Sequence, residues 1–70
     1  MNLILSAAMA KFAAQREEAR AVLHTYATNS VGIGEHSNII DDGVHWTQKL
    51  AEAEECIQIL QQTFKPPSEE

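Results

Sequence analysis

The residues best placed to do chemistry are the carboxylates Glu52, Glu54 and Glu55. Glu52 and Glu55 stand three apart, and helical-bundle enzymes hold divalent metal ions with carboxylates at such spacing. Together with Asp41 or Asp42, this pair would suit a metal-dependent phosphate chemistry. The apolar positions of the same segment, however, fall on the other side of a helix. We therefore expect a solvated acidic face, with a metal-dependent bundle enzyme as the less favoured alternative.

Histidine and cysteine supply the other candidate reactive groups. No two of His24, His36 and His45 stand three or four apart, the spacing that would place two metal ligands on one face of a helix. We expect them to be ordinary surface or loop residues. Cys56 has no histidine at helical spacing that would activate it as a nucleophile. The sequence therefore indicates no catalytic residue, no metal site and no cofactor.

A first helix is predicted from about residue 3 to residue 28. This segment has no glycine or proline, and residues that favour helices predominate in it. Its apolar residues recur at alternating steps of four and three, so they share one face. Arg16 interrupts this stripe, but its aliphatic stem can still cover apolar surface. The other members of the stripe are Leu5, Met9, Phe12, Ala19, Leu23 and Tyr26.

A second helix is predicted from about residue 38 to residue 65, with Ser37 as its N-cap. The four-three alternation runs through the whole segment, and only Gly43 lacks a side chain. Pro66 and Pro67 cannot continue a helix, so residues 66–70 form a short polar tail. The stripe consists of Ile39, Gly43, Trp46, Leu50, Ala53, Ile57, Leu60 and Phe64.

Residues 29–37 concentrate the turn-forming residues and are predicted to be the loop of a hairpin. Gly32 and Gly34 alternate with the aliphatic residues Val31 and Ile33. We expect the glycines to supply backbone geometry that other residues adopt poorly, while the two aliphatic side chains cover the end of the helix pair. The loop is therefore predicted to serve folding, with a recognition site for a protein partner as the less favoured alternative.

Two long helices joined by a short loop must run antiparallel, so the predicted fold is an all-α, two-helix hairpin forming one domain over residues 1–65. One hairpin covers the flanking residues Ile4, Val22, Ile40, Val44 and Ile59 poorly. A second hairpin would cover them, which predicts a homodimeric four-helix bundle. The hairpin core and dimer interface are assigned to Phe12, Leu23, Trp46, Leu50, Ile57, Leu60 and Phe64.

Composition limits the function further. The chain has 70 residues and a formal net charge of −5, which disfavours binding to nucleic acid or to anionic membranes. Its opening segment is apolar but is soon interrupted by Lys11 and Arg16, so neither a signal peptide nor a membrane span is predicted. The only cysteine is Cys56. An internal disulfide is therefore impossible, and we expect a cytoplasmic protein.

The segment Asn-Ser-Val-Gly-Ile-Gly-Glu-His-Ser at residues 29–37, followed by a helix that contains Ala-Glu-Ala-Glu-Glu and ends in Phe64, resembles small helical proteins of tailed, T4-like bacteriophages. The resemblance implies a phage origin and a helical hairpin, and it implies no activity. We expect a non-enzymatic structural or interaction protein, a phage accessory factor in the host bacterial cytoplasm. The alternative is an adaptor or inhibitor that binds a host protein.

Overall fold

The computed structural model describes residues 2–28 and 38–64, which form two packed helices, α1 (Leu3–Thr28) and α2 (Ile39–Thr63). No strand is present in these two ranges. Arg20 lies beside Glu54, whereas residues 23–27 share a groove with residues 39–48, so the helices run antiparallel. The predicted all-α hairpin is confirmed. The end of the hairpin at Thr28 and Ile39 is called the loop end below.

Helix α1 begins with a side-chain cap that sequence reasoning missed. The Leu5 backbone N–H donates to Asn2 Oδ1 at 2.8 Å, and the Ser6 N–H donates to the Asn2 carbonyl oxygen at 2.9 Å. The Asn2 side chain thereby satisfies one of the amide groups that a helix leaves without intrahelical partners at its start, and its carbonyl group accepts the first bond of the helical ladder. Asparagine is a favoured N-cap residue, and this signal was readable from the sequence.

Helix α2 has a weaker start and an earlier end than predicted. Asn38 occupies the N-cap position without a side-chain hydrogen bond, and the predicted cap, Ser37, lies outside the described residues. The last helical residue is Thr63, two residues before the predicted end. The backbone of Phe64 is no longer helical, with φ at −122°, although its N–H still donates to the Leu60 carbonyl oxygen at 3.0 Å. The nearby Pro66 disfavours helical backbone in the residue before it.

The core of the hairpin is thin. Among the described residues, only Ala19, Ala53 and Ile57 are buried, and two of these three are alanines that remove little apolar area from water. The remaining stripe residues of α1 are half-buried. Packing within one hairpin therefore covers the predicted stripe only partly, and most of its side chains keep some exposure.

The molecule is a rod with extents of 51 × 17 × 15 Å. Its radius of gyration is 15.8 Å, compared with about 11 Å expected for a compact domain of this length. Neither α1 nor α2 is long and apolar enough to cross a membrane. A rod of two helices exposes much of each helix, so its long sides are available for contact with other molecules.

Candidate interaction surface

The carboxylates that could have formed a metal site do not converge within the described ranges. Glu52 and Glu55 are exposed, and Glu54 instead faces Arg20 of α1, with Oε2 3.5 Å from Arg20 Nη2. Arg20 also lies 3.4 Å from Glu17 Oε2. No group of three or more histidine, cysteine, aspartate or glutamate residues in residues 2–28 and 38–64 is arranged to hold a metal ion. Of the three carboxylates, Glu54 is the one that forms an ion pair between the described helices.

The histidines and the cysteine are also separate from one another. His24 and His45 are exposed on different helices, and His36 lies outside the described residues. The His45 ring meets the Trp46 ring edge to face, with centroids 5.2 Å apart. Cys56 is a half-buried free thiol. Among these groups, the described geometry gives a side-chain contact to His45 alone, through its packing against Trp46.

The residues predicted for the hairpin core and dimer interface lie at different depths. Ile57 is buried, and Phe64 is 44% exposed because it follows the end of α2. The two loop glycines, Gly32 and Gly34, lie outside the described residues. The other predicted interface residues are half-buried, namely Phe12, Leu23, Trp46, Leu50 and Leu60. Five of the seven side chains are thus left part-covered by a single hairpin.

Large aliphatic side chains lie on the surface. Ile4 and Ile40 are each 79% exposed, Val44 is 52% exposed and Ile59 is 50% exposed. These are four of the five flanking residues that the sequence predicted to be poorly covered, and the fifth, Val22, is half-buried. Single exposed apolar residues are common on proteins, but here several large aliphatic side chains are exposed while, in residues 2–28 and 38–64, Ile57 is the one large side chain that is buried.

At the loop end, two of these exposed residues, Ile40 and Val44, line an open groove between the two helices. Its volume is about 620 Å³, within the range of about 300–1,000 Å³ typical of binding sites. Its polar lining residues are Tyr26, Thr47 and Gln48. The described lining residues are Leu23, Tyr26, Ala27, Ile39, Ile40, Gly43, Val44, Thr47 and Gln48.

Gly43 gives this groove its open floor. It lies inside α2, where glycine is a poor helix former, and a Cβ built on it would meet no atom within 4 Å. The position therefore carries no packing constraint within the hairpin that excludes a side chain. Sequence reasoning placed Gly43 on the apolar stripe but did not identify the groove, because its shape depends on the side chains of both helices.

Comparison with known proteins provides no independent guide to the role of this surface. The chain matches no protein-family model, no curated protein and no solved structure. The resemblance to phage proteins therefore stays an expectation from the sequence, and the surface has to be interpreted from its own chemistry.

Proposed function

We propose that this chain is a small non-enzymatic interaction protein that works by self-association, two hairpins packing into a four-helix bundle. The observation that carries the proposal is the imbalance between its interior and its surface. Within the described residues only one large side chain, that of Ile57, is buried, whereas Ile4, Ile40, Val44 and Ile59 are at least half exposed.

Energetics support this reading. Burial of a large aliphatic side chain contributes about 1.5–3 kcal/mol, and ordering each residue costs about 1–2 kcal/mol of backbone entropy. Small domains with so thin a core normally gain stability from disulfides, metals or oligomerisation. The single cysteine rules out an internal disulfide, and the described residues contain no metal cluster. A second helical layer is the remaining source of stability, and it would cover the flanking aliphatic residues.

The chemistry of the described surface also supports interaction in preference to catalysis. Glu52 and Glu55 are exposed and are not joined by a third ligand in the described ranges. We propose another copy of the chain as the partner, because a second hairpin would cover the exposed aliphatic residues of the first. The sequence resemblance adds the proposal that this assembly is an accessory factor of a tailed phage, acting inside the host cell.

Size-exclusion chromatography with light scattering tests the proposal directly. We expect a particle of twice the 7.8 kDa chain mass, and a melting temperature that rises across about a hundredfold range of protein concentration because folding and association are linked. A folded monomer whose melting is independent of concentration would refute self-association. A poorly folded monomer that becomes ordered only with a host protein would favour the adaptor or inhibitor function instead.

A further inference from the structure

We infer that two copies of this chain meet at the loop-end groove, each inserting Ile40 and Val44 into the groove of the other with their loop ends together. This inference rests on the proposed self-association. It assigns the contact to the loop-end groove, with the loop ends of both copies at the same end of the dimer, and it assigns the close approach of the two copies to Gly43.

The groove and its rim are self-complementary. A two-fold dimer brings the same surface of both copies together, so that surface must contain both protruding and recessed parts. Ile40 and Val44 protrude, and Gly43 between them leaves open space above its Cα atom. Helices that pack closely insert side chains into holes on the facing helix, and glycine allows the nearest approach of two backbones.

The described lining of the groove carries no like charges that would repel a second copy of this acidic chain. The chain carries a net charge of −5, yet none of the nine described residues that line the groove is charged. Covering it therefore removes no charged group of the described lining from water, but the polar groups of Tyr26, Thr47 and Gln48 need hydrogen-bond partners.

Two residues of opposite charge lie farther along the same flank, whereas Asp41, Asp42 and Lys49 are nearer to the groove along the chain. Glu54 lies seven residues, or about two helical turns, beyond Thr47 on α2, and Arg20 of α1 faces it at 3.5 Å. A two-fold axis parallel to the rods places α1 of one copy against α2 of the other at the same height. Arg20 of each copy then approaches Glu54 of its partner, so the flank is complementary in charge as well as in shape.

The exposed area is enough for such a contact. The chain has 5347 Å² of accessible surface, whereas a compact chain of 7.8 kDa has about 4,400 Å². The difference is roughly 900 Å² per chain, and a standard interface buries about 800 Å² per partner. Overlap at the loop ends alone would cover less than this, which favours rods lying side by side.

Gly43→Leu is the direct test, measured by sedimentation equilibrium. The new side chain meets no atom of its own hairpin within 4 Å of its Cβ, and leucine favours the helix, so the hairpin itself should remain helical by circular dichroism. We expect the dimer dissociation constant to rise at least tenfold, because the side chain fills the space into which the second copy inserts. The matched control Ala21→Leu adds bulk at an exposed position of α1 away from the groove and should leave dissociation within about twofold of the original.

A disulfide cross-link tests the orientation without depending on the leucine variant. In a Cys56→Ser background, Gly43→Cys should form a covalent dimer under mild oxidation, because loop ends held together bring the two positions close to the range of about 4.4–6.8 Å between Cα atoms that a disulfide spans. Glu18→Cys, at an exposed position on α1 outside the groove, should form no covalent dimer under the same conditions.

The outcomes separate the two proposals. Unchanged dimerisation of Gly43→Leu, or a Gly43→Cys variant that fails to cross-link, would overturn the groove as the contact while the self-association of the unaltered chain still stands. A chain that is monomeric at every concentration would overturn both. Weakened dimerisation together with the specific cross-link would support the inference.

Discussion

Ile57→Ala probes the single large side chain that the hairpin buries. Ile57 is 6% exposed, so truncation loses nearly the whole transfer free energy of the removed atoms and leaves a cavity in the core. Such a change costs about 2–5 kcal/mol. A domain of this length has a total stability of about 3–10 kcal/mol, so the loss removes a large share of it. At about 4–8 °C per kcal/mol, we expect the melting temperature to fall by about 8 °C or more.

The assay is thermal unfolding followed by circular dichroism, with all variants at one protein concentration. Leu3→Ala is the matched control, since it also removes three carbon atoms, from a side chain that is 89% exposed and is not among the flanking residues. Scaling the cost by the covered fraction predicts a loss of about 0.2–0.6 kcal/mol for the control. If the two substitutions destabilise the protein equally, burial of Ile57 within the hairpin does not contribute the stability assigned to it.

Two further predictions concern the helix start and the acidic face. Asn2→Ala removes the acceptor of the Leu5 N–H and should destabilise the fold by about 1 kcal/mol, whereas Asn2→Asp keeps an acceptor and should be nearly neutral in the same thermal melts. Joint replacement Glu52→Gln and Glu55→Gln should leave melting and dimer mass unchanged, since both residues are exposed. Titration with magnesium or manganese checks the alternative, because a stabilisation by metal that this double variant loses would revive a metal-dependent enzyme.

Local sequence was sufficient to predict the two helices and the faces they turn toward each other. The uninterrupted helix-forming composition predicted α1, and the proline pair predicted that α2 would stop close to Phe64. Spacing alone put Ala19, Ala53 and Ile57 on the stripes, and these are the residues that the hairpin buries. Helix propensity, capping and periodicity act over a few residues, so they can be read without knowing the partner helix. The cap at Asn2 belongs to the same class of signal and was overlooked.

Depth of burial and surface shape were decided only by the packing of one helix on the other. Periodicity treats Gly43, Ile57 and Phe64 as equivalent stripe positions, yet one lines an open groove, one is enclosed and one lies beyond the helix end. The pairing of Arg20 with Glu54 likewise depends on the relative height of residues 34 positions apart in the chain. A sequence pattern specifies which side of a helix is apolar, whereas the distance and angle between helices depend on how side chains of both fit together. That fit decides which residues remain exposed to a second copy.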